Sequence, residues 1–349
     1  MAVSSFSIKA GPKRNQSETS VSVFMDDLSS MIIHNQYRIN RDEAIRIGTI
    51  VRDDALLLFH HAAGLRKHFR GDTINLCSIV NAKSGACSEN CSFCAQSAHF
   101  KTTSPVYPLM TPDAVVEAAR VAHRDGAESF GIVISGLGIK NQKELEAIGE
   151  IAKRIREEVD IEVHASLGCI TREHAEYLRE CGVTQLHHNL ETSERYFANI
   201  CTTHTFADRL QTLRNIKDSG LKLCAGGIFG MGETLEDRID MAMMLREFEP
   251  ETIPMNFLSP IPGTPLEQVR PMPPLEILMT IALYRFILPH QEIKICGGRE
   301  KNLRDLQSMI FFAGADSMMI GNYLTTAGRE PELDRQMMRD LDLQWNAAK

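Results

Sequence analysis

A chain of 349 residues with 43% hydrophobic and 24% charged residues can build one large or two ordinary domains around a sizeable core. Its net charge of −7 and the lack of a basic tract argue against a nucleic-acid partner, and no apolar run approaches the ~18 residues that span a bilayer. Nine cysteines with no hydrophobic export segment point to a reducing, cytoplasmic compartment and to metal or redox use rather than disulfides.

Residues 1–20 are Ser-rich and polar and read as a disordered leader. Apolar residues at helical spacing predict helices over 21–35 and 41–65, an N-terminal extension filling 21–70. From 71 to 325, short β-branched runs alternate with helical segments. Strands are expected at 74–80, 129–134, 161–165, 184–190, 222–228, 252–258, 293–296 and 317–320. Helices are expected at 111–125, 141–158, 171–181, 206–219, 235–248, 275–288 and 302–312; Thr111 and Pro112 open the first, and Gly126 stops it. A tail with a helix occupies 326–349. Eight strand–helix units define an α/β chain whose natural closure is a (β/α)8 barrel, with function at the C-terminal strand ends. An open doubly wound sheet would gather the site at one switch point, whereas the candidate residues here fall at the ends of nearly all the strands.

Cys87, Cys91 and Cys94 follow the first strand as Cys-x3-Cys-x2-Cys. Thiolates favour zinc or iron–sulfur clusters, but structural zinc wants four closed ligands, and no partner pair follows at zinc-finger distance. A cubane is normally held by four cysteines, so three leave one iron open. This spacing, with Phe93 before the last cysteine, resembles the radical S-adenosylmethionine enzymes. The resemblance implies that S-adenosylmethionine chelates the open iron of a 4Fe–4S cluster and is cleaved to a 5′-deoxyadenosyl radical. The run Gly226 to Thr234 resembles the family's nucleoside-binding element, with Gly227, Ile228, Gly230 and Glu233 at its matching positions. Phe93 would face the adenine or shield the cluster, Glu191 would bind the ribose, and Arg209 would pair with the methionyl carboxylate.

Further blocks, from Ser84-Gly85-Ala86-Cys87 through His188-Asn189-Leu190-Glu191-Thr192-Ser193 and Ile200-Cys201-Thr202-Thr203 to Gly298-Arg299-Glu300, narrow the likeness to the biotin synthase family, in order from about Thr73 to Tyr323. That resemblance implies insertion of sulfur into dethiobiotin, with Asn189 and Asn256 at the ureido ring, and a reductase partner such as flavodoxin or ferredoxin; a homodimer stays open. It also implies a second, 2Fe–2S cluster held by three cysteines and an arginine, and here the match is partial. Cys224 and Arg299 are in place, but Gly131 and His164 stand at the other two positions. Cys77 and Cys296 offer replacement thiols on the first and seventh strands, with Cys201 as a further candidate. Ligation by Cys77, Cys224 and Cys296 favours a cubane as the auxiliary cluster; Cys169 and Cys181 read as buried small hydrophobes. The competing readings are lipoyl-type sulfur insertion or a metallocofactor maturase of the same superfamily, and, outside enzymes, an iron–sulfur scaffold or electron-transfer protein.

Overall fold

The computed structural model describes residues 20–50 and 52–345, so nearly all of the leader expectation lies outside the described residues. Its parallel strands are β1 (Asn75–Lys83), β2 (Ser129–Ile134), β3 (Glu162–Ser166), β4 (Val183–His187), β5 (Lys222–Cys224), β6 (Gly227–Phe229), β7 (Thr252–Phe257), β8 (Glu292–Ile295) and β9 (Ser317–Met319). They close as β5-β4-β3-β2-β1-β9-β8-β7-β6. β5 and β6 are two halves of one stave: β5 pairs with β4 and touches β7 at Cys224–Thr252, while β6 pairs with β7, and a Glu191–Gly227 bridge returns to the β4 side. The barrel is therefore eight-staved and closed, as the alternation predicts.

The single strand expected over 222–228 is broken for a local reason. At Gly226 a Cβ would stand 2.0 Å from the Pro254 carbonyl oxygen, so only glycine fits the close approach. The Gly226 amide leaves the ladder and donates to the Asn189 side-chain oxygen at 3.1 Å.

The helices are α1 (Val21–Asn35), α2 (Arg41–Gly48), α3 (Ala55–Arg70), α4 (Pro112–Arg124), α5 (Gln142–Glu158), α6 (Arg172–Glu180), α7 (Glu194–Phe197), α8 (Phe206–Asp218), α9 (Leu235–Phe248), α10 (Pro274–Ile287), α11 (Arg299–Leu303), α12 (Met309–Phe312) and α13 (Pro331–Asp340). Starts are marked by caps: Thr234 and Asp237 form a capping box on α9, and Thr205 and Asp208 another on α8. Two expected helices are interrupted. The stretch 41–65 ends at Thr49, passes a 3-10 turn at Arg52–Asp54 and resumes as α3. The stretch 302–312 breaks where Arg304 takes φ 51, separating α11 from α12.

Buried Val, Ile, Leu and Ala on the helix faces and strands form one continuous core. α10 is buried along nearly its whole length, because α2 and α3 pack over the side that α10 turns away from the barrel. The N-terminal helices thus complete the helical layer. No helix among the described residues is long and apolar enough to cross a membrane.

Candidate active site

The loop after β1 opens through two left-handed residues, Gly85 (φ 74) and Ala86 (φ 48). Gln96 ties it down, its side-chain oxygen accepting from Asn81, Ser84 and Gly85. Backbone bonds from Cys87 to Gln96 and from Cys94 to Cys91 close it. Cys87, Cys91 and Cys94 consequently all line one cavity of about 430 Å³ inside the upper barrel, with Phe93 among them. Burial pushes the Cys94 thiol up to about 11, which a bound metal would reverse by stabilising the thiolate.

Across the cavity, Glu191 ends the β4 side in the left-handed conformation, φ 71, rare for a residue with a Cβ and typical of functional positions. Its backbone is held by Ile228, whose amide donates to the Glu191 carbonyl at 2.9 Å. Gly227 permits this, since a Cβ there would lie 2.5 Å from that carbonyl oxygen. The Glu191 carboxylate accepts from Asn189 at 3.1 Å and sits 3.6 Å from Arg209. Burial raises its pKa, with Arg209 pulling the other way. Arg209 is buried, donates to the Asn189 carbonyl at 2.8 Å and stands over the Phe197 ring, yet its Nε has no partner. Such an orphaned donor on a buried cation that lines the cavity suits an anionic ligand group.

Asn189 and Asn256 each use one donor and one acceptor internally. Asn256 donates to the Gly227 carbonyl at 3.2 Å and accepts from Gly297 at 3.0 Å. One N–H and one lone pair remain on each amide for a ligand. Gly227, Gly230 and Glu233 do not line the cavity, although Ile228 does. Glu233 instead accepts from the amides of Gly230 and Met231 and from Arg238, at 2.7–2.8 Å, so it staples the glycine-rich turn from behind.

Lower in the barrel, Cys77, Cys224 and Cys296 line the same cavity with His164, His187 and Gly131. Strand alternation turns Glu292, Lys294 and Cys296 to one side of the β8 stave, and Lys294, missed by sequence reasoning, is 4% exposed with Glu292 3.2 Å from its ammonium. Burial alone would push that ammonium down, but Cys77, Glu292, Cys224 and Cys296 hold it well above its ordinary range. Burial likewise raises Cys77, but Lys294 and His164 outweigh it and leave that thiol at about 7. Cys224 is pushed up to about 12 by burial. His187, driven down to about 4 by burial, meets the Cys224 sulfur at 3.4 Å as a neutral ring. Three thiols around one fixed cation form a donor set that fits an anionic iron–sulfur cluster.

Two expected auxiliary ligands lie elsewhere. Arg299 is fully buried against Asp334 at 2.9 and 2.7 Å and does not line the cavity. It follows Gly298 (φ 81) at the start of α11, where strand alternation no longer aims side chains at the lumen. Cys201 sits beside the rim loop, its sulfur 3.8 Å from that of Cys91, instead of on the floor. The Cys91 thiol donating to it holds Cys201 down at about 4 and pushes Cys91 far up. His204 and His188 are the other residues that sequence reasoning passed over; His188 lies within a quoted motif block, and its buried Nε2 is unpartnered.

A closed parallel barrel with three thiols on the loop after its first strand, sharing one cavity with Ile228 from the glycine-rich fifth stave, defines a radical S-adenosylmethionine enzyme. The model of the Radical SAM superfamily matches residues 82–245, and that of the Biotin and Thiamin Synthesis associated domain matches residues 254–344. A biotin synthase of Geotalea daltonii is 53% identical over 302 residues, covering 86% of this chain and 92% of its own. One of Geobacter sulfurreducens is 51% identical over 320 residues, covering 92% and 97%. The chain belongs to the biotin synthase family, and is a sulfur-inserting radical enzyme that acts on a small molecule. The family implies a 4Fe–4S cluster and S-adenosylmethionine, with an auxiliary cluster. Among solved structures, methylornithine synthase superposes with TM-score 0.79 at 18% identity over 91% of this chain and 96% of its own. The FeFe-hydrogenase maturase HydG from Carboxydothermus hydrogenoformans gives 0.76 at 18% over 92% and 79%. Both share the fold.

Proposed function

We propose that the chain converts dethiobiotin to biotin. The observation that carries this reading is one cavity lined by two separate thiol sets, Cys87, Cys91 and Cys94 at the rim and Cys77, Cys224 and Cys296 below. When bound, a rim 4Fe–4S cluster would supply the electron that cleaves S-adenosylmethionine, and the lower cluster would supply sulfide. The rim thiols would leave one iron open, Arg209 Nε would take the methionyl carboxylate, and Glu191 would accept the ribose hydroxyls. Gly227, Gly230 and Glu233 would shape the turn behind Ile228 and so act on the nucleoside indirectly, while Phe93 shields the cluster. The spare N–H and lone pair on Asn189 and on Asn256 would meet the ureido ring, leaving the apolar barrel wall to the alkyl chain.

We take the auxiliary cluster as a cubane on Cys77, Cys224 and Cys296, because the three thiols line the lower part of one cavity and the buried Lys294 ammonium feels all three. Residues 71–325 form the catalytic unit in this reading, flanked by 21–70 and 326–349. The electron comes from a flavodoxin- or ferredoxin-type reductase in the cytoplasm, and the assembly to test first is a homodimer. Anaerobic incubation of the reconstituted chain with dethiobiotin, S-adenosylmethionine and reductant should yield biotin. Cofactor cleavage that dethiobiotin neither stimulates nor channels into biotin would transfer the reading to lipoyl-type insertion or cofactor maturation.

A further inference from the structure

The segment 200–203 lies beside the cysteine loop in a fixed register. The Ser92 amide donates to the Ile200 carbonyl at 2.8 Å, Asn90 exchanges bonds with Thr202 at 2.7 and 2.9 Å, and the Thr203 hydroxyl donates to Glu89 at 2.7 Å. As one number in each pair falls the other rises, so the two segments run antiparallel and Cys91 stands opposite Cys201. Their sulfurs are 3.8 Å apart. We propose that these two cysteines are a redox modification site, which closes a reversible disulfide in the cluster-free protein when a peroxide reaches it.

Residues directly opposite in an antiparallel pair have Cα atoms ~4.5–5.5 Å apart, inside the ~4.4–6.8 Å that a disulfide spans. The Ser92–Ile200 bond flanks the two cysteines, which makes them a non-hydrogen-bonded pair, the kind whose side chains approach most closely. To bond, the sulfurs must close from 3.8 Å to ~2.05 Å, a shift that turning the two Cα–Cβ bonds can supply. Cys91 lines the cavity, whereas Cys201 is buried behind it, so an oxidant meets Cys91 first. The Cys91 thiolate attacks the peroxide, the O–O bond breaks, hydroxide leaves, and a sulfenic acid remains on Cys91. The Cys201 thiolate then attacks that sulfur, its S–O bond breaks, and a second hydroxide leaves as the S–S bond forms. The two thiols give up two electrons and two protons, and the peroxide ends as two waters. A dithiol reductant returns both thiols, whereas oxidation of Cys91 to the sulfinic acid is irreversible. In the proposed function Cys91 holds the rim cluster, so disulfide and cluster exclude each other; that consequence rests on the proposed function, and the disulfide itself does not.

The test is hydrogen peroxide treatment of the full, cluster-free chain, followed by alkylation of free thiols and non-reducing peptide mapping. The expected product joins the tryptic peptide 84–101 to the tryptic peptide 196–209 through Cys91 and Cys201, and the thiol count falls by two from nine. Dithiothreitol should restore all nine. In Cys201→Ser the same dose followed by dithiothreitol should leave Cys91 as the unrecovered sulfinic acid. A disulfide confined to Cys87, Cys91 and Cys94, or an unchanged thiol count in the wild type, overturns the proposal. Equal recovery of Cys91 in wild type and variant overturns it too. The wild-type map decides independently of variant folding. Because no cluster, cofactor or turnover enters the readout, failure here is distinct from failure of the proposed function.

Discussion

Arg299 and Asp334 form a two-pronged ion pair, 2.9 and 2.7 Å, with both side chains out of solvent. The pair joins the first turn of α11 to α13 and so anchors the tail to the barrel. Arg329 adds a third bond to the same carboxylate at 3.0 Å. Asp334→Ala would strip a buried guanidinium of its two-pronged partner and leave it only Glu300, at 3.3 Å, as a charge partner, a loss of ~3 kcal/mol. Urea unfolding of the cluster-free protein measures it, and a change below about 1 kcal/mol would contradict a structural role for Arg299.

Arg209→Ala should weaken S-adenosylmethionine binding by ~1.5–3 kcal/mol through loss of a charge-assisted contact. Arg209→Lys should not restore it fully, since an ammonium lacks the planar fork. Anaerobic equilibrium titration compares the three proteins. Equal affinities would make Arg209 a support for the Asn189 carbonyl and nothing more.

Replacing Cys77, Cys224 and Cys296 together by Ala should lower iron and sulfide to the content of a single cubane. Biotin formation should vanish while reductive cofactor cleavage survives. Mössbauer spectra of the wild type should lack a 2Fe–2S component. A triple variant with wild-type iron content would remove the lower cluster from these thiols.

Much of this arrangement was legible in the sequence because it rests on short-range rules. Three cysteines within eight residues must share a loop whatever the fold does. Alternation along a strand turns Cys77 and Ile79 to the lumen together. Lys294 obeys the same rule relative to Cys296, but a buried lysine runs against composition-based expectation until its thiol neighbours are known. The rule fails beyond strand ends, which is why Arg299 points to Asp334. His204 meets Glu89 across 115 residues of chain, a contact set by how α7 delivers the following segment to the loop. No local pattern encodes it.

Gly227→Ala would press a methyl group against the Glu191 carbonyl, where only 2.5 Å is available. The backbone must yield, at ~1–3 kcal/mol of stability. The shift reaches Glu191 directly, so the apparent affinity for S-adenosylmethionine should fall more than thermal stability does. Unaltered cofactor affinity would show that Glu191 tolerates displacement.

Asp237 is a buried carboxylate that accepts from Ser193 at 2.6 Å, from Thr234 and from Arg195. Burial pushes its pKa up, but these donors outweigh it and hold the group below its ordinary value. A depressed folded pKa gives stability that is full above the unfolded value, about 4, and is lost as pH falls through the folded one. Asp237→Asn should cost ~1.5–3 kcal/mol at neutral pH and flatten the acid limb of stability below about pH 4. A parallel acid limb in wild type and variant would assign the loss to other carboxylates.

The broken fifth stave leaves a seam in an otherwise continuous ring of backbone pairing. At Gly226 the seam is mended by the side-chain amide of Asn189, the same group whose remaining valences face the cavity. Anything that grips Asn189 from inside therefore steadies the wall itself. Hydrogen exchange at the Gly226 amide becomes a built-in gauge of occupancy, slow when the cavity is filled and fast when it is empty.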